Sequence, residues 1–170
     1  CIGSWKNLMT KEIKKILMVE DDRDFFYLVN IALSEIQTSP YVYITEWAGT
    51  YEQGLEQVKL NNHDVYLIDI RLGNKNGLDL LKEIISIDPN KPAILLTGYT
   101  HQDMDLTAIQ AGAADYIDKS QFTPDFLERS IRYALVRKKE GSSMRRRLAE
   151  LETINLVSKA LRVAQNLDEL

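Results

Sequence analysis

Apolar residues fall along this chain in two alternating rhythms. Short unbroken runs, Ile16-Leu17-Met18-Val19, Val65-Tyr66-Leu67-Ile68 and Ile94-Leu95-Leu96, are bounded by polar or turn-forming residues. Runs of that length read as strands buried on both faces of a parallel sheet. Between them, apolar positions recur at three- and four-residue steps: Phe25, Phe26, Leu28, Val29, Ala32, Leu33 and Ile36, then Leu55 and Val58, then Leu78, Leu80, Leu81, Ile84, Ile85 and Ile87. Those spacings put one apolar face on each of three helices. The first strand runs from Ile13 to Val19 and the fourth from Pro92 to Thr97. Tyr41 to Trp47, rich in β-branched and aromatic residues, reads as the second strand, and Ala113 to Asp118 as a short fifth.

The punctuation between these segments agrees with the rhythm. Ser39-Pro40 ends the first helix, Thr50-Tyr51-Glu52-Gln53 is a capping box for the second, and Asn61-Asn62 closes it. Asn76-Gly77 leads a third helix that stops at Asp88-Pro89. Thr100 caps a fourth from His101 to Ala111, and Thr123-Pro124 opens a last one. Five strands alternating with five helices predict a doubly wound parallel α/β sheet. Right-handed crossovers place the carboxyl ends of all its strands on one edge, where such folds bind their ligands.

Polar residues gather at those ends. Glu20-Asp21-Asp22 follows the first strand, Asp69 ends the third, Thr97 ends the fourth and Lys119 follows the fifth. Taken one at a time, each has an ordinary explanation: a helix N-cap cluster, a turn cap, an edge hydroxyl, a solvated lysine. Taken together they form a constellation with chemistry in it. Three neighbouring carboxylates repel one another unless a cation sits among them, and an all-oxygen ligand set suits Mg²⁺ or Mn²⁺. Such a cation would neutralise a phosphoryl group approaching Asp69, which could attack it as a nucleophile. Lys119 supplies positive charge, and the Thr97 hydroxyl can donate to a phosphoryl oxygen.

Composition narrows the field. The 170 residues leave room for one domain and an appendage, and 21 Lys and Arg against 25 Asp and Glu give a net charge of -4. A mildly acidic surface argues against nucleic-acid binding as the main task. The lone cysteine, Cys1, permits no internal disulfide and fits a reducing, cytoplasmic setting. No apolar run approaches the roughly 18 residues that span a bilayer, and the opening residues to Thr10 lack the apolar core of a signal peptide. The chain divides into a leader (1–11), a domain (12–138) and a tail (139–170). A basic stretch from Arg137 to Arg147 precedes Leu148, Leu151, Ile154, Val157, Leu161, Ala164 and Leu167 at helical spacing. This tail is expected to be an amphipathic helix, loosened near Gly141, that pairs with a second copy as a coiled coil. The first residue is not Met and the chain stops at Leu170, so the natural protein is expected to be longer.

Four motifs, in order, carry a resemblance: Ile16-Leu17-Met18-Val19-Glu20-Asp21-Asp22; Leu67-Ile68-Asp69-Ile70-Arg71-Leu72 with Gly77-Leu78; Leu95-Leu96-Thr97-Gly98; and Ala111-Gly112-Ala113-Ala114-Asp115-Tyr116-Ile117-Asp118-Lys119. On these, residues 12–138 resemble the receiver domain of two-component response regulators. The resemblance implies a flavodoxin-like sheet of order 2-1-3-4-5. It makes Asp69 the phosphoacceptor, served by a histidine kinase or a phosphotransfer protein. It places Mg²⁺ (or Mn²⁺) on Glu20, Asp21, Asp69 and the main-chain carbonyl of Arg71. Thr97 and Lys119 would contact the phosphoryl group, and Tyr116 would be the aromatic switch. The role implied is regulatory, with some self-catalysed phosphorylation and dephosphorylation. Residues 151–170 are similar to the helix that leads into a GAF-like sensory domain, as in multidomain signalling proteins and hybrid kinases.

Two features depart from the family pattern: the loop after Asp69 lacks its common proline, and Glu20 stands where Asp is more frequent. Arg71 and Tyr99 occupy positions expected to tune the acyl-phosphate lifetime. Other classes fit less well. A haloacid-dehalogenase-like phosphatase wants a second Asp two residues after the first, where this chain has Arg71. A flavin module wants a phosphate-cradling loop where this chain has Glu20-Asp21-Asp22. An adaptor that no longer signals would not need the intact acidic pair, Asp, Thr and Lys.

Overall fold

The structure, a computed structural model, describes residues 11–98 and 110–138. The leader up to Thr10, the helix expected from His101 to Ala111 as far as residue 109, with its cap Thr100, Tyr99 and the tail beyond 138 lie outside these residues. The chain divides into two compact units, Cys1–Leu135 and Val136–Leu170, and the sheet with its core belongs to the first.

Elements run β1 (Glu12–Val19), α1 (Arg23–Glu35), β2 (Tyr41–Ala48), α2 (Tyr51–Leu60) and β3 (Val65–Asp69). Then come β4 (Arg71–Leu72), β5 (Lys75–Asn76), α3 (Gly77–Ile87), β6 (Ala93–Thr97) and β7 (Asp115–Asp118). A 3₁₀ turn at Lys119–Gln121 precedes a helix over 124–138, α4. The main sheet is parallel throughout, ordered β2-β1-β3-β6-β7. With the two short hairpin strands left out of the count, that is the expected 2-1-3-4-5.

The unbroken apolar runs are explained by two cores, one on each face. Leu17, Val19, Tyr66, Ile68 and Leu95 pack with Leu80, Leu81 and Ile84 of α3. The intervening Ile16, Met18, Leu67, Ile94 and Leu96 pack with Val29 and Leu33 of α1 and with Leu127 and Ile131 of α4. Every residue of β3 and β6 is buried, each large aliphatic side chain contributing about 1.5–3 kcal/mol of transfer free energy. β2 has only one neighbour and alternates between half-buried and exposed positions from Tyr41 to Glu46 before ending in the buried Ala48.

The caps work as local chemistry dictates. Thr50 accepts from the Gln53 N–H at 3.2 Å, while the Gln53 side chain reaches back to the N–H of Gly49, one residue earlier than a capping box requires. Asn76 accepts from Leu78 N–H at 2.9 Å at the start of α3. Asn61, at φ 54°, ends α2 in the left-handed conformation that Asn tolerates.

Three boundaries differ from the sequence reading. The segment after Asp69, read as an open loop, is a tight antiparallel hairpin pairing Arg71 with Asn76 and Leu72 with Lys75. Two-residue strands are too short to show periodicity. The turn uses Gly73 at φ 59°, a conformation open to glycine without strain. α1 ends at Glu35, with Ile36 already extended, before Ser39-Pro40 is reached. β7 begins at Asp115, two residues after the apolar-rich run begins at Ala113.

Candidate functional site

The carboxyl ends of β1, β3, β6 and β7 meet where the topology requires. Glu20 lies one residue beyond β1 and is fully buried. Its Oε1 accepts from the Asp22 N–H at 3.2 Å. Asp21 is exposed, and its Oδ2 accepts from the Gly73 N–H at 3.3 Å, which ties the β4–β5 hairpin to the end of β1. Asp22 takes a different job. It caps α1, accepting from the N–H groups of Asp24 and Phe25 at 2.9 and 3.2 Å. The capping explanation for the three acids therefore holds for Asp22.

Asp69 is the last residue of β3 and is buried. Its Oδ1 accepts from the Arg71 N–H at 3.2 Å, and its Oδ2 from Lys119 Nζ at 2.8 Å. The same ammonium lies 2.5 Å from Glu20 Oε2 and 4.7 Å from the centre of the Phe25 ring on α1. Glu20, Asp21 and Asp69 each offer an oxygen within 4.8 Å of the others. Gly77 lets α3 start against this corner. Its N–H donates to the Ile70 carbonyl at 2.8 Å, and a Cβ there would lie 2.1 Å from the Asp69 carbonyl oxygen, an impossible contact.

Thr97 is buried at the end of β6 and pairs in register with Asp118, the neighbour of Lys119. Tyr116 pairs with Leu95 two positions earlier and is half-buried against the core on the α3 face. The structure thus brings Glu20, Asp21, Asp69 and Lys119 into direct proximity, with Thr97 at the adjacent strand end and Tyr116 one step further back. Sequence reasoning did not single out Phe25, under Lys119, or Trp47, whose indole N–H donates to the Glu20 carbonyl at 2.8 Å. Both were read only as members of a helix face and a strand, and their polar contacts cross between elements.

The electrostatics are unbalanced in one direction. Counted as ionised, the three carboxylates and the one ammonium leave two negative charges. Burial pushes the Glu20 carboxyl from 4.5 up to about 7; the Lys119 hydrogen bond pulls it back and the charge of Asp69 pushes it further up. Burial works to lower the Lys119 pKa, but hydrogen bonds to Asp69 and Glu20 outweigh it and hold that pKa above the usual lysine value. The two shifts disagree over whether the pair is favourable, and they reconcile once the ammonium is seen as shared. Lys119 has both acids as partners, while the two carboxylates divide one positive charge. Hard oxygen donors, close convergence and an excess of two negative charges are what a divalent cation such as Mg²⁺ fits.

Comparison with known proteins agrees. The response regulator receiver domain model matches residues 16–132. The chemotaxis protein CheY of Thermotoga maritima is 32% identical over 106 residues, covering 62% of this chain and 85% of that one. The transcriptional regulatory protein ZraR of Klebsiella oxytoca is 31% identical over 111 residues, covering 65% of this chain; the chain spans about a quarter of that regulator's length. The crystal structure of a CheY-like response regulator receiver domain protein from Methanospirillum hungatei JF-1 superposes with a TM-score of 0.67 at 27% identity, covering 76% of this chain and 99% of that one. Fold, site geometry and family match converge: this chain belongs to the response regulator receiver domain family.

Proposed function

We propose that this chain is a phosphorylation-controlled switch in which Asp69 accepts a phosphoryl group from the phosphohistidine of a histidine kinase or phosphotransfer protein. The observation that carries the proposal is the pose of Asp69. It is a buried strand-end carboxylate with one oxygen held by a main-chain N–H and the other by a lysine, beside two further acids.

A carboxylate oxygen of Asp69 attacks phosphorus, the O–P bond forms, and the P–N bond breaks with its electron pair left on the imidazole. Glu20, Asp21, Asp69 and the main-chain carbonyl of Arg71 would hold Mg²⁺ (or Mn²⁺), which supplies neutralisation of the phosphoryl oxygens. The Arg71 N–H keeps one oxygen of Asp69 oriented. Lys119 transfers its hydrogen bond from Asp69 to a phosphoryl oxygen, and Thr97 donates from the neighbouring strand end. Tyr116, half-buried beside that strand, repacks as Thr97 is drawn in. Such a device needs two states separated by only a few kcal/mol. The chain itself is regulatory, cytoplasmic, and passes its state through residues 139–170, which pair with a second copy or lead into a further domain. Arg71 and Tyr99 set the lifetime of the acyl phosphate. Among the described residues no helix is long and apolar enough to cross a membrane.

Intact mass after incubation with a small phosphodonor and Mg²⁺ tests this. The expected result is a gain of one phosphoryl group, lost in Asp69→Asn and under chelation. No gain in a folded protein that binds Mg²⁺ would overturn it in favour of a non-signalling adaptor.

A further inference from the structure

The peptide unit joining Glu20 to Asp21 carries one metal-facing acid on each side, and its orientation is set from outside β1. The Glu20 N–H donates to the Ala48 carbonyl at 3.0 Å, extending the β1–β2 pairing by one step. In a continuing parallel ladder the Glu20 carbonyl would next accept from residue 50. β2, however, ends at Ala48, and Thr50 is already the cap of α2. The Trp47 indole takes the place of that donor, with Nε1 2.8 Å from the Glu20 carbonyl.

The indole is itself fixed. Phe26 stacks on it with ring centres 6.0 Å apart and planes at 28°. The Arg23 guanidinium lies 5.2 Å from its ring centre. On a third side is Gly49, where a Cβ would stand 2.8 Å from Cζ2 and 3.0 Å from Cη2 of the indole. The pose therefore requires Trp47 and Gly49 together. Burial does not account for it, because Trp47 remains 38% exposed.

We infer that Trp47 is a positioning residue for the metal-binding acids, its indole N–H locking the Glu20–Asp21 peptide plane and Gly49 making room for the ring. A planar peptide makes this effective, since fixing the Glu20 carbonyl fixes the opposed N–H of Asp21 and with it the Cα positions from which both carboxylates spread. The inference rests on the reading of Glu20 and Asp21 as Mg²⁺ ligands.

The test uses the full chain carrying Trp5→Phe, which leaves Trp47 the one remaining indole of the two in the sequence. Mg²⁺ is titrated by calorimetry and by tryptophan emission. The parent is expected to bind, with an emission change whose midpoint matches the calorimetric one. Trp47→Phe keeps a ring against Phe26 but loses the N–H; Gly49→Ala keeps the N–H but displaces the ring. Both are expected to fold and to bind Mg²⁺ about tenfold more weakly, the scale on which supporting hydrogen bonds act on metal affinity. Gly49→Ala decides alone if Trp47→Phe does not fold. Folded variants whose affinity changes by less than about twofold would overturn the inference while leaving the site intact. A parent that binds no Mg²⁺ would overturn the reading of the site first, and is visible without any variant.

Discussion

Two of the buried carboxylates among the described residues, Glu128 and Glu20, are held in opposite ways. Glu128, on α4, faces the Arg132 Nε at 3.3 Å from both its oxygens, and accepts from the Tyr43 hydroxyl at 3.1 Å. Tyr43 in turn accepts from the Ser39 hydroxyl at 3.1 Å. One negative charge meets one positive charge and a phenol, which burial and then the Glu128 charge keep protonated. Glu20 has no such match, since it shares Lys119 with Asp69 and sits within reach of Asp21. Burial of an acid alone does not mark a functional site. A surplus of one sign does, because the fold tolerates that cost only where a ligand of the opposite sign offsets it.

Lys119→Met gives the largest contrast. In chelator it leaves buried carboxylates with no cation and is expected to cost about 3 kcal/mol of unfolding free energy, partly restored by saturating Mg²⁺. Glu128→Ala breaks a balanced pair whose arginine can turn to solvent, and should cost about 2 kcal/mol, the same with and without Mg²⁺. Denaturant unfolding of both variants in Mg²⁺ and in chelator reads the difference. Equal metal dependence in the two would remove the distinction between the regions.

Next in size is a pH effect confined to the unbalanced region. The folded Glu20 pKa, about 7, lies above its ordinary 4.5, so the native state holds that proton more tightly than the unfolded chain. Above pH 7 both states are ionised and the native state carries the whole cost; below 4.5 both are protonated and the cost is gone. In chelator, this group makes stability rise as pH falls through that window, by about 3 kcal/mol at most. Glu20→Gln should flatten the slope, raise stability at pH 8 in chelator, and lose Mg²⁺ affinity. Unfolding midpoints measured from pH 4.5 to 8 with and without the substitution check all three.

The contrast between the regions also explains what was legible in the sequence. The unbroken runs around Leu17, Leu67 and Leu95 announced strands buried on both faces, and strand-end placement alone was enough to gather Glu20, Asp21, Asp69, Thr97 and Lys119. Those signals are local, or follow from topology. The Trp47 indole on the Glu20 carbonyl, Phe25 beneath Lys119 and the bond from Tyr43 to Glu128 depend on side-chain reach between elements far apart in sequence, which periodicity does not encode. The β4–β5 hairpin was missed for the opposite reason: two residues per strand carry no pattern. Gly77 was visible as a motif glycine, but its cause, a helix start pressed against the Asp69 carbonyl, is a close approach of backbone to backbone that no periodicity encodes.

The smallest prediction separates neighbours rather than regions. Glu20, Asp21 and Asp22 are consecutive acids, yet Asp22 turns to the α1 N–H groups while the other two converge with Asp69. Replacing Asp22 by Ala removes a cap and its favourable charge at the positive end of α1, worth about 1 kcal/mol. Because neither oxygen of Asp22 belongs to the converging set, Mg²⁺ affinity and phosphoryl uptake should stay near those of the parent. Asp21→Ala should do the reverse, since Asp21 is exposed and its loss leaves stability nearly unchanged while weakening Mg²⁺ binding. Calorimetric Mg²⁺ titration beside denaturant unfolding distinguishes the two substitutions. If Asp22→Ala weakened metal binding as much as Asp21→Ala does, the cap and the site would be one device, and the metal would be reading the start of α1 as well as the end of β1.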